Sequence, residues 1–175
     1  PVDEQFPEMP AFGMQLVLSE ALDSVKYFGR GPHENYIDRN HSAYVGYYGS
    51  SVDDQYVPYA APQENGNKTD ARWLVLHDAS GTGLMFKGLP MLEFSALHYR
   101  PADLSRRTPG ITHMSDPEKR PEVYLTLNQR QMGVGGDNSW GAKTHAKYSI
   151  PARSMQFAWQ IRPVLKGTNY WEKAK

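Results

Sequence analysis

Residues 131–140 read QMGVGGDNSW, a stretch that spaces three glycines ahead of Asp137, Asn138, Ser139 and Trp140. Gly133, Gly135 and Gly136 permit either left-handed backbone or very close backbone approach. The side chains of Asp137, Asn138 and Ser139 can brace such a loop by bonding its own backbone. Trp140 then stands at the end of a stiff, irregular projection. A core tryptophan belongs on an alternating strand, where Trp159 is found in SMQFAWQIR. A braced tip suits an indole presented outward or docked on a neighbour. Its flat face complements the C–H face of a sugar.

Two further segments concentrate hydrogen-bonding groups. GRGPHENYIDRNH, residues 29–41, sets His33, Glu34, Asn35, Tyr36, Asp38 and Arg39 behind a Gly-x-Gly-Pro turn. It reads either as a polar ligand site or as a self-satisfying loop, with Asp38 and Arg39 in ion pairs and Asn35 capping backbone groups. YVPYAAPQENGNKTDARW, residues 56–73, offers Tyr56, Tyr59, Gln63, Glu64, Asn65 and the pair Arg72–Trp73. Those side chains suit paired donors and acceptors of sugar hydroxyls, and equally a turn at Asn65–Gly66.

Other chemistries find no support. GVGGDNS shares its glycine spacing with phosphate-binding loops, but no Lys follows and no strand–helix–strand pattern surrounds it. The six histidines have no metal-ligand spacing, and no Gly-x-Ser-x-Gly is present. Asp53 and Asp54 are adjacent, so on a strand they point to opposite faces. With no cysteine, thiolate nucleophiles and disulfides are excluded and the compartment stays open, cytoplasmic or periplasmic. Balanced charge, 19 basic against 19 acidic residues, gives nothing to attract nucleic acid or an anionic membrane. No apolar run approaches the roughly 20 residues of a membrane span.

The elements that must hold these segments are strands. SMQFAWQIR, EVYLTLN and MQLVLSE alternate apolar and polar residues with period two. RWLVLHD, GLMFKG and LEFSALHY read as further strands, with SVKYFG, AYVGYYG and HAKYSI plausible beside them. The aromatic share of 12%, with 15 Gly and 13 Pro, favours strands cut by turns over long helices. PADLSRR offers one or two helical turns at most. The expectation is an all-β, antiparallel sandwich or barrel of nine or ten short strands. It runs over residues 10–165, after a linker or boundary at 1–9 and before a fraying tail at 166–175.

MPAFGMQL, YFGRGPHENYIDR, YVPYAAPQENGNKTDARW and QMGVGGDNSWG, in that order, resemble the small-chain (fifth, C-terminal) domain of family 2 β-galactosidases, the LacZ type. The resemblance implies an antiparallel β-sandwich of the galactose mutarotase-like "supersandwich" kind, of which this chain matches only the C-terminal part. It implies a parent activity, retaining hydrolysis of terminal β-galactosides such as lactose. The parent's catalytic glutamates, and mainly its Mg2+ and Na+ sites, belong to a separate TIM-barrel domain. This chain, alone, is then expected to be inactive, with no cofactor of its own. The family's loop tryptophan stacks on the sugar in the aglycone position, and the matching residue is Trp140, supported by Gly135, Gly136, Asp137, Asn138 and Ser139. Expected partners are the remaining domains or large chain, a galactoside or glucose moiety, and further copies in an oligomer. A free-standing carbohydrate-binding module and an aldose 1-epimerase-like enzyme are the alternatives. The latter would need His33 or His98 to converge with Glu34 or Glu64.

Overall fold

The computed structural model describes residues 8–61, 63–105, 109–110, 113, 115–138 and 141–175. Ser139, Trp140 and Pro62 lie outside the described residues, as do 1–7, 106–108, 111–112 and 114.

The described chain is almost all strand. β1 (Ala11–Leu18), β2 (Ser24–Gly31), β3 (Tyr44–Ser51), β4 (Lys68–His77), β5 (Gly83–Leu97), β6 (Val123–Gln131) and β7 (Trp159–Val164) form one sheet, ordered β1-β6-β5-β4-β2-β3 with β7 also on β5. Every pairing is antiparallel. The all-β antiparallel reading therefore holds. Among the described residues the strands make a single hydrogen-bonded sheet, consistent with an all-β sandwich domain.

The strand count falls short of nine or ten for identifiable reasons. GLMFKG and LEFSALHY are two halves of β5, which runs on through a bulge where Gly88 lies against the backbone of Met91. The first half pairs with β7 and the second with β6. HAKYSI forms a single 3-10 turn, Ala146–Tyr148, rather than a strand. PADLSRR also yields one such turn, Pro101–Asp103. Met155 and Phe157 precede β7, although Phe157 still packs on the core.

β4 lies at the centre, between β2 and β5, and is buried on both faces. Leu74 and Leu76 join the larger core with Tyr27, Phe86, Phe94, Leu125 and Leu127. Trp73 and Val75 point the other way, into a smaller cluster with Met85 and Val164. Residues 166–175, expected as a fraying tail, cover that second cluster. Asn169 caps a short helix, α1 (Tyr170–Lys173), by accepting from the amides of Trp171 and Glu172. Trp171 then packs edge-on against Phe28 and Trp73, with ring centroids 4.8 and 5.4 Å away. Apolar burial against these distant rings orders a segment too short to be helical alone.

Candidate functional site

Three loops meet beside the sheet. Residues 32–43 join β2 to β3, residues 56–67 lead into β4, and residues 132–138 leave β6.

The first loop is built from buried polar side chains. Asn35 is fully buried, and its amide donates to the carbonyls of Arg30 and His33. Its Oδ1 accepts from the Thr69 amide at 2.9 Å and the Thr69 hydroxyl at 2.6 Å. Its expected role of capping backbone groups is observed. Glu34 is also buried, and its Oε2 accepts from the Gly66 amide at 2.7 Å. Its Oε1 accepts from Tyr59 and Arg39, and Arg39 also donates to the Tyr59 oxygen at 2.7 Å. The first two loops are thus tied together by a carboxylate whose lone pairs are occupied.

Asp38 was expected in an ion pair. Instead its Oδ2 accepts from the Gly135 amide at 2.8 Å. The glycines of the third loop answer to this contact and its neighbours. A methyl on Gly133 would lie 2.7 Å from the Asp38 carboxyl and from Thr144 Cγ2. On Gly136 it would lie 2.1 Å from the Ala142 carbonyl oxygen. Close approach, rather than left-handed backbone, is what Gly133 and Gly136 require, since neither has positive φ. Gly133 also donates to the Tyr148 carbonyl and accepts from the Thr144 hydroxyl, both at 2.9 Å. Asn138 Oδ1 accepts from the nearby Ala142 amide at 3.4 Å, and Asp137 meets the His145 side chain at 2.7 Å.

Gln131, the last residue of β6, joins the loop to a buried polar floor. Its amide donates to Glu93 Oε2 at 3.2 Å, which also accepts from Asn67 Nδ2 at 3.2 Å. The Gln131 side-chain oxygen accepts from Asn128 Nδ2 at 3.3 Å. Burial pushes the Glu93 carboxyl up to about 7, against opposing hydrogen bonds from Asn67 and Gln131. Beside the glycine loop lies a cavity of about 370 Å³, with Arg39, Gln63, Glu64 and Gln131 among its walls. It adjoins a groove of about 1160 Å³ that runs along β1 and β6 past Tyr59, Asn67 and Asn128.

The sequence did not single out Asn67, Glu93 or Gln131. Glu93 carried the one usable signal, an acid between Leu92 and Phe94 in an otherwise apolar run. The candidate acid–base groups do not converge. His33 meets Ser42, while His98 is held between Asp23 and the Glu122 carbonyl. Among the described residues, no hydrogen bond joins either histidine to Glu34 or Glu64, and no three His, Asp or Glu side chains gather as a metal site.

An antiparallel β-sheet scaffold whose glycine-rich loop after β6 is held by a loop from another crossing is an all-β domain. The sequence pattern of the β-galactosidase small chain matches residues 2–161, and the chain belongs to that family. It is 42% identical over 162 residues to a β-galactosidase of Priestia megaterium, covering 92% of this chain and 15% of the relative. It is 36% identical over 149 residues to the β-galactosidase BgaC of Bifidobacterium adolescentis, covering 83% and 14%. A β-galactosidase of Lactobacillus delbrueckii subsp. bulgaricus is 35% identical over 167 residues, covering 94% and 16%. The chain therefore spans about one-seventh of the length of these relatives.

Proposed function

We propose that this chain is an accessory domain of a β-galactosidase, completing a sugar site whose catalytic carboxylates lie elsewhere. The supporting observation is the clamp itself: three loops converge to fix the backbone from which Trp140 follows, five residues beyond Gly135. The relatives' names and the small share of their length that the chain spans agree with a part rather than a whole enzyme.

In a retaining galactosidase, two carboxyls about 5–5.5 Å apart act on the glycosidic bond. One protonates the departing sugar oxygen and the other forms the glycosyl-enzyme. On this reading both glutamates, and the Mg2+ and Na+ of the parent enzyme, sit outside this chain. The chain supplies Trp140, which stacks on the aglycone sugar. Stacking holds glucose as leaving group and as acceptor, so it governs how the galactosyl-enzyme divides between water and sugar. A facing sheet contributed by the rest of the enzyme would cover the groove along β1 and β6 and make the sandwich.

The experiment compares Trp140→Ala with the unaltered complete enzyme on lactose. Weaker acceptor binding and less transfer to sugar, with the fold intact, is expected; unchanged kinetics would remove the proposal.

A further inference from the structure

Within the clamp that supports the reading above, the segment around Asp38 makes the bond that holds the glycine loop. We infer that Asp38 is a positioning residue: its carboxylate sets the course of residues 133–138 and, through them, the place at which Trp140 meets the sugar. This inference rests on the proposed role of Trp140.

Three observations carry it. First, Asp38 Oδ2 accepts from the Gly135 amide at 2.8 Å, in a loop where Val134 through Asn138 are exposed. A charged acceptor makes this a strong hydrogen bond at the point where the backbone leaves the sheet. Second, the space beside the carboxylate admits only a glycine at 133, because a Cβ there would approach Asp38 Cγ and Oδ2 to 2.7 Å. The glycine and the acid are thus two halves of one contact. Third, Asp38 Oδ1 is buried with no hydrogen-bond partner. An orphaned carboxylate oxygen is unfavourable, so the surroundings must hold the group in place.

Those surroundings are the polar turn itself. The Arg39 amide donates to the Tyr36 carbonyl at 2.9 Å and closes the turn around Asp38. The Arg39 guanidinium lies 4.9 Å over the Tyr36 ring and bonds Glu34, which is anchored in turn to Gly66. The GPHENYIDR segment is therefore a rigid post, with Asp38 as its contact with the glycine loop.

The test uses the complete enzyme with Asp38→Ala, Asp38→Asn, Trp140→Ala and the double variant Asp38→Ala/Trp140→Ala. Two readouts are taken: amide exchange over residues 133–137, and the ratio of galactosyl transfer to hydrolysis with glucose as acceptor. Asp38→Ala should speed exchange at Gly135 and lower the ratio about tenfold, the loss of one charged hydrogen bond. Asp38→Asn keeps an acceptor oxygen and should recover most of both. The double variant should be no worse than Trp140→Ala, because the two act through one contact. Unchanged exchange at Gly135, or additive losses in the double variant, would overturn the inference. If Trp140→Ala lowers the ratio and Asp38→Ala does not, only the role of Asp38 falls. If neither does, the reading of Trp140 falls and this inference with it.

Discussion

Asp38 and Gly135, 97 residues apart in sequence, are joined by a hydrogen bond of 2.8 Å from the glycine amide to the aspartate carboxylate. The polar segment at 29–41 and the glycine loop at 131–138, which look like separate sites in the sequence, are thus parts of one clamp. The geometry explains why Gly133 is a glycine, and it bears on a direct stability experiment.

Gly133→Ala forces a methyl into 2.7 Å contacts with both Asp38 and Thr144. The loop or the turn must move, and the substitution should destabilise the fold by about 1–3 kcal/mol. Val134→Ala, one residue on and 40% exposed, should stay within about 0.5 kcal/mol. Urea unfolding of the two variants side by side checks the contrast.

Asn35→Ala removes four side-chain hydrogen bonds at once and leaves the buried Thr69 amide without its acceptor. A loss of about 2–4 kcal/mol is expected, more than for a single ordinary hydrogen bond. Thermal denaturation measures it, and a shift no larger than that of Val134→Ala would show that the polar turn is not a rigid unit.

Glu93 makes stability depend on pH. Burial holds its folded-state carboxyl up to about 7, above its value in the unfolded chain. Between about pH 4.5 and 7 the folded protein therefore binds the extra proton, and stability falls as pH rises through that window. The full span is on the order of 3 kcal/mol. Glu93→Gln retains an acceptor for the Gln131 and Asn67 donors but cannot ionise. It should be flatter across this window and more stable than the parent at pH 8. Unfolding curves at pH 5 and pH 8 for both proteins decide the point.

Trp171→Ala tests the folded-back C-terminus. The ring is 48% exposed but closes on Phe28 and Trp73, so its removal should cost about 1–2 kcal/mol and loosen α1. Protease nicking near residue 170 should rise in the variant while the sheet stays intact.

How much of this was legible in the sequence follows from the range of each interaction. β1 and β6 carry period-two alternation, and so they could be read directly, whereas β2 was only plausible. The central β4 is buried on both faces, and its apolar run still signals a strand. β5 was split in two because Gly88, Leu89 and Pro90 look like a turn locally, whereas pairing with β4, β7 and β6 carries the strand through them. The tail looked polar and free because its partners, Phe28 and Trp73, are about a hundred residues away or more. The glycine loop announced itself by composition. Its anchor did not, since nothing in IDRNH indicates that Asp38 will meet Gly135 rather than a cation.

The central claim is that this domain holds an indole against a sugar cleaved by carboxylates outside it. The most direct measurement is the acceptor KM for glucose in galactosyl transfer by the complete enzyme, with and without Trp140→Ala. The account predicts a rise of about tenfold, the scale of one lost ring–sugar contact of about 1.4 kcal/mol. An acceptor KM that does not change would contradict it.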